Sequence, residues 1–235
     1  MDSNTAGDPS WADDKGMTMA MLNLSSDELL TTTKSVRKRL DLTRPVPLEL
    51  VKECLKVALQ APTGSNRQTW HFVVITDHDK RKVIGDFYRR AVHTYLASEG
   101  SCGTLFQEDA ERHRTQQRVA DSVAYLGEHM AEVPVHVIPC LDATAAPEYN
   151  DAGRWGSIIQ ASWSYSLAAR ARGLGTAWTT LHLMYEREIA DLLGLPDGLI
   201  QAALLPTAYT IGTDFKPAPR QPLESVLHLN SWTAG

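Results

Sequence analysis

The chain has 235 residues, 43% of them hydrophobic, and its 28 acidic against 23 basic side chains leave a net charge of −5. That length is near the upper end for one domain and the apolar fraction supports a sizeable core, while a mildly acidic balance argues against nucleic acid, which selects a clustered basic face. Cys54, Cys102 and Cys140 lie far apart without a CxxC and the histidines form no HExxH, so no metal centre or disulfide framework is expected and the thiols suit a reducing compartment.

Residues 1–23, rich in Asp, Ser, Gly and Thr, read as a flexible N-terminal tail. The tail has no cationic or apolar signal region, and no stretch reaches the roughly 18 apolar residues of a membrane span, so a cytoplasmic protein without membrane contact is expected. Residues 24–235 read as a single domain. Ser25 and Glu28 have capping-box spacing, which predicts a helix running through Lys34–Arg37 and stopping before Arg44-Pro45. Pro47 to Gln60 is amphipathic, with Leu50, Val51, Cys54, Leu55, Ala58 and Leu59 on one face. A loop over Pro62–Asn66 leads to a buried strand from Phe72 to Thr76.

A helix is predicted from Asp79 to Tyr95, with Val83, Ile84, Phe87, Tyr88 and Ala91 inward, then a loop over 97–105. Gln107–Met130 has helical propensity but few core residues and reads as an exposed helix or lid. Val135–Leu141 is a second buried strand, and Ala143–Arg154 a loop. Ser157–Arg172 is apolar around most of its circumference, as suits a central or interface helix, with Gly173 as its cap. An extended piece over Thr176–Thr180, a helix over Tyr185–Leu193 and a strand over Ala202–Thr210 follow. Residues 212–222, with Pro217, Pro219 and Pro222, form an extended, exposed arm. Strands alternate with more numerous helices, an α+β or α/β three-layer plan.

Several familiar constellations are missing. Gly173-Leu174-Gly175 lacks the third glycine of a dinucleotide fingerprint and follows a helix where a strand is needed; there is no P-loop and no GxSxG. This favours a cofactor that brings its own reactivity. Three segments stand out: Lys34-Ser35-Val36-Arg37-Lys38-Arg39, a basic run that is either a solvated face or a phosphate site; Ala61-Pro62-Thr63-Gly64-Ser65-Asn66-Arg67-Gln68-Thr69-Trp70, small and amide residues that let a flat ligand approach; and Gly173 to Thr180.

Taken together and in this order, with Lys216-Pro-Ala-Pro-Arg220 near the C-terminus, these segments resemble the motifs of the FMN-dependent nitroreductase family from about residue 27 to residue 228. The resemblance implies a three-layer α/β/α nitroreductase-like fold of the α+β class, with a central, mostly antiparallel sheet flanked by helices, in an intertwined homodimer holding FMN between the subunits. It implies that Ser35 and Arg37, supported by Thr33 and Lys34, contact the ribityl chain, phosphate or pyrimidine edge, that Lys216 and Arg220 close on the phosphate, and that Trp178, Thr179 and Thr180 lie against the ring with a backbone N–H aimed at N5. The loop Pro62, Thr63, Gly64, Ser65 and Asn66 reaches the flavin of the other subunit. Thr33 stands where the family has its first Arg, Thr69 replaces a proline before Trp70, and His129 is the nearest basic group before the second strand.

The activity implied is NAD(P)H-dependent reduction of a small electron-poor acceptor, a nitroaromatic or quinone, by ping-pong hydride transfer through flavin N5, with no catalytic side chain required. Phe106, Arg112, Tyr149 and Trp155 are candidates for the substrate or nicotinamide opening, and Arg112, Arg114 and Arg118 favour NADPH over NADH through its 2′-phosphate. The alternatives are a flavin-sequestering dimer with little turnover, and flavin-consuming or dehalogenating chemistry on the same fold.

Overall fold

The computed structural model describes residues 21–145 and 151–232. The first helix, α1 (Ser26–Thr32), has the capping box its spacing predicts: Glu28 N–H donates to Ser25 Oγ at 3.2 Å, and Ser25 N–H to the Glu28 carboxylate at 2.8 Å. It stops well short of Arg44, however. The hydroxyls of Thr31, Thr32 and Thr33 each donate to the carbonyl four residues back, a contact that weakly disfavours helix interiors. From Thr33 the chain is extended, because a better partner exists: Val36 N–H donates to Thr176 O at 2.8 Å. The basic segment therefore lies along a sheet edge and not at a helix C-terminus.

The sheet carries the rest. Strand β1 (Trp70–Ile75) pairs antiparallel with β2 (Val135–Asp142), which pairs antiparallel with β5 (Leu205–Tyr209), and β5 with β3 (Leu174–Thr176). β4 (Leu199–Gln201) pairs with the far end of β2, opposite Cys140 to Asp142. β4 and β5 are thus one strand interrupted at Ala202–Leu204, where Leu204 turns to exchange backbone hydrogen bonds with Thr179 at 2.8 and 3.2 Å. The sequence reading began this strand at Ala202 and missed its first piece; the interruption hides the alternation. The mostly antiparallel sheet follows the expected plan, with a parallel bridge from Ser35 to Thr176 at its edge.

Side chains alternate between two helical layers, as a period of two requires. Val135, Val137 and Leu205 face α2 (Leu48–Ala58) and α5 (Asp151–Ala171), against Leu50, Val51, Cys54, Tyr165 and Ala169. Ile138, Cys140 and Ala208 face α3 (His78–Leu96), α4 (Ala110–His129) and α6 (Glu186–Leu193), against Ile84, Tyr88, Leu126 and Ile189. On α2 the predicted face is buried at Leu50, Val51, Cys54 and Ala58, while Leu59 is exposed; on α3, Val83 is exposed. α4 is exposed along its N-terminal half and buried only at Val123, Leu126 and Gly127. α5 begins at Asp151, inside the segment read as loop, so Trp155 lies within the helix. No helix among the described residues is long and apolar enough to cross a membrane.

Candidate functional site

The three motif segments meet the helix α5 at two places. At the first, Ser35, Thr176 and Trp178 line a cleft of about 240 Å³ together with Ile159, Ser162, Trp163 and Ser166 of α5. The wall is flat and apolar at the tryptophans and Ile159, and edged with hydroxyls at Ser35, Thr176, Ser162 and Ser166. Gly175 makes this approach possible: a Cβ there would lie 2.9 Å from Val36 Cβ and 2.8 Å from Thr210 Cγ2, so any side chain would push the basic strand off the sheet. Gly173, at φ +75°, ends α5 in the left-handed cap expected of it, its N–H donating to Arg170 O at 3.1 Å.

Cations gather around the C-terminal arm. The Lys34 ammonium donates to the backbone carbonyl of Lys216, which brings the N-terminal motif and the C-terminal arm together. The arm is held by stacking: Phe215 lies between the guanidinium groups of Arg39, 4.2 Å from its ring centre, and Arg170, at 4.9 Å. Arg39 also pairs with Asp214 at 2.6 Å, but Asp214 is 86% exposed, so that ion pair contributes little. Arg220 is exposed and bonds to its neighbour's carbonyl, Pro219 O, at 3.0 Å.

Arg37 points elsewhere. Its Nη1 donates to Ser122 Oγ of α4 at 3.3 Å, tying the basic strand to the predicted lid helix. Its charge also reaches the buried Tyr88 phenol: burial pushes that pKa up, and the Thr179 hydrogen bond and Arg37 oppose the shift. Tyr88 OH pairs with Thr179 Oγ1 at 3.0 Å, both groups buried. The Thr179 side chain and N–H are therefore both committed within the protein. Thr180 is exposed, and its N–H makes no backbone hydrogen bond among the described residues.

The loop Pro62–Asn66 is the second place. Thr63 and Gly64 sit with Arg154 and Ser157 at the start of α5, and Gly64 N–H donates to Ser157 Oγ at 3.3 Å. Ser65, Asn66 and Gln68 all have positive φ, near +53°, a conformation that non-glycine residues hold only where surrounding bonds impose it. Asn66 N–H to Thr63 O at 3.0 Å and Gln68 N–H to Thr63 Oγ1 at 3.2 Å are such bonds. Ser157 and Ser166 are nine residues apart on α5, so the loop and the hydroxyl end of the cleft are separated by about 14 Å of helix.

Of the opening candidates, Phe106 is exposed, holds φ +58° and stacks under the Arg112 guanidinium at 3.7 Å. Trp155 packs against the cluster of Trp70, Leu141 and Ile158, on a helix turn where the sequence reading placed an open loop. Tyr149 lies outside the described residues. His129 pairs with Glu132 at 2.9 Å and lies against Tyr125 at the end of α4. Sequence reasoning missed the hydroxyl row Ser162 and Ser166 and the phenol of Tyr88. Their signal was present but faint: serines at i, i+4 in an otherwise apolar helix, and a tyrosine at an inward position.

The model of the nitroreductase family matches residues 30–209. A protein of Methanothermobacter thermautotrophicus, provisionally named NADH dehydrogenase/NAD(P)H nitroreductase, is 25% identical over 209 residues, covering 87% of this chain and 86% of that protein. Among solved structures, iodotyrosine deiodinase bound to FMN and 3-iodo-L-tyrosine superposes with a TM-score of 0.67 at 23% identity, covering 88% of this chain and 99% of that one. An FMN- and NADPH-dependent nitroreductase from sphigopyxis sp. strain HMH gives a TM-score of 0.67 at 20% identity, covering 89% and 100%. At these identities the structural likeness speaks for the fold.

Proposed function

The chain belongs to the nitroreductase family, and on that premise we propose that it is an FMN-dependent NAD(P)H oxidoreductase acting on small electron-poor acceptors, nitroaromatics or quinones. One observation carries the reading: Ser35 of the N-terminal motif and Thr176 and Trp178 of the Gly173–Thr180 segment line one cleft, and Lys34, the neighbour of Ser35, holds the C-terminal arm, on which Arg39 stacks. The donor set fits the cofactor. Tryptophan and isoleucine walls suit an isoalloxazine, the hydroxyl row a ribityl chain, and the cations a phosphate. When bound, FMN supplies the two-electron relay between a reduced nicotinamide and an acceptor that take the same place in turn.

The protein's own part is binding and orientation. Ser35 and Thr176 donate along the cleft; Lys34 and the arm's Lys216 and Arg220 neutralise the phosphate; and the Thr180 N–H, released because Thr179 is committed to Leu204 and Tyr88, is the donor for the ring edge. No side chain is required as an acid or base. The exposed N-terminal half of α4, whose C-terminal half is fastened to Arg37 through Ser122, forms a lid, and Arg112, Arg114 and Arg118 on it favour NADPH.

A homodimer completes the site. About 240 Å³ falls below the roughly 300–1,000 Å³ of a cofactor pocket, as half a site should. Ile159, Trp163 and Trp178 are 46%, 44% and 39% exposed beside it, and Leu229 and Trp232 on the arm are 73% and 82% exposed, an apolar surface that a second copy would bury. The 63–66 loop, about 14 Å along α5 from the Ser166 end of its own cleft, then serves the cleft of the second copy.

The test is spectroscopic. The purified protein is expected to be yellow or to turn yellow with FMN, and to bleach on anaerobic addition of NADPH, faster than with NADH. A flavin-loaded protein that does not bleach with either nicotinamide would leave flavin sequestration as its role.

A further inference from the structure

Arg170, in the last turn of α5, is 4% exposed and has no carboxylate partner among the described residues. Its Nη2 donates to Thr32 Oγ1 at 3.3 Å and to Thr213 O at 2.9 Å, while Nε and Nη1 have no acceptor among the described residues. The nearest charge it feels is another cation, Arg39, and burial with that repulsion pulls its pKa below the ordinary arginine value, yet a guanidinium stays protonated at neutral pH. A buried charge facing like charge, with half of its donor fork unused, is costly unless an anion completes it.

Its place on the helix says where that anion belongs. Ser162 and Ser166 line the cleft, and Arg170 follows at the same four-residue interval, about 6 Å further along the same strip of α5. The arm residues Thr213 to Lys216 cross over it and lead to Lys34.

We propose that Arg170 is an anion-binding residue one helical turn beyond the hydroxyl row of the cleft, whose guanidinium takes a phosphate monoester beneath the 213–216 arm. Nη2, once released from the Thr213 carbonyl, and the neighbouring Nη1 form a fork that matches two phosphate oxygens. Because the arm covers the fork, the anion enters as the arm shifts, exchanging the Thr213 carbonyl for phosphate oxygen. The exposed Arg39–Asp214 pair offers little resistance to that movement. The identity of the ligand as FMN rests on the function proposed above; the anion site itself does not.

The experiment compares the full chain with Arg170→Met and Arg170→Lys. Inorganic phosphate, titrated at constant ionic strength against chloride, is expected to raise the melting temperature of the parent, not of Arg170→Met, and to a smaller degree of Arg170→Lys. FMN binding, followed by flavin fluorescence, is expected to weaken at least tenfold in Arg170→Met, while riboflavin, which lacks the phosphate, binds both proteins alike. If Arg170→Met does not fold, Arg170→Lys decides: weaker FMN with unchanged riboflavin supports the site. Phosphate protection that survives in Arg170→Met, or equal losses of FMN and riboflavin in either variant, overturns it. Arg170-dependent phosphate protection in a protein that binds no flavin upholds the anion site and sinks the flavin reading, and a parent indifferent to both ligands sinks both.

Discussion

Removing the phenol hydroxyl of Tyr88 is the sharpest test of how the core holds the site. Tyr88 OH and Thr179 Oγ1 lie 3.0 Å apart, both buried, on opposite sides of the junction between α3 and the segment after β3. Tyr88→Phe keeps the ring packing but leaves the Thr179 hydroxyl without that partner, and Thr179→Val keeps the shape but orphans the phenol. Each single change loses a net hydrogen bond and leaves a buried polar group unpaired, about 1–3 kcal/mol. The double variant removes both polar groups and is expected to lose less than the two singles combined, by about 1 kcal/mol of coupling. For a chain of this size, 1 kcal/mol corresponds to a melting shift of about 2–4 °C. Urea midpoints of the four proteins measure the cycle, and FMN titration of the same set reads out the site. Tyr88 is expected to affect flavin binding through the backbone of Thr179 and Thr180. Strictly additive single effects would show that the hydroxyls do not interact, and unaltered FMN binding in both singles would show that the junction does not position the site.

Three further expectations follow from other parts of the molecule. His136 and His182 are buried and neutral, with burial pushing their pKa values down to about 4 and about 3 from 6.5. Because the unfolded chain binds these protons more readily, their contribution to stability is complete above about pH 6.5 and is lost as pH falls towards the folded values, at up to about 1.4 kcal/mol per pH unit for each histidine; urea midpoints that stay level from pH 7.5 to 5 would contradict this. Gly85→Ala places a Cβ 2.6 Å from the backbone nitrogen of Ala131, so despite alanine's better helix propensity the variant should lose about 1–3 kcal/mol, measured by thermal unfolding. Trp163→Glu puts a charge on the exposed apolar strip of α5; a dimer in size-exclusion chromatography should become a monomer and lose its flavin, and an unchanged elution volume would place the subunit contact elsewhere.

Much of the local structure is legible from residue types because its causes are local. The capping box of Ser25 and Glu28, the buried positions of α2, the glycine cap at Gly173 and the continuous apolar run of the buried strand β2 all follow from patterns that a single element imposes on itself. The elements that were misjudged depend on partners distant in the chain. Lys34 to Val36 has a sequence that extends a helix, and it is extended and bridged to the sheet edge because Thr176 offers backbone groups beside Gly175. β4 and β5 lose their alternation where Leu204 leaves to pair with Thr179.

The same division runs through the site. The order of the motifs was enough to indicate the family, since it is a property of the chain as written. What only the folded chain decided is which of them share one cleft, that Thr179 is spent on Tyr88 and Leu204, and that Arg170 lies beneath the arm without a counter-charge. Residue type and spacing set local conformation and charge; the distance between groups far apart in sequence, and hence whether a buried donor finds an acceptor, is created by packing alone.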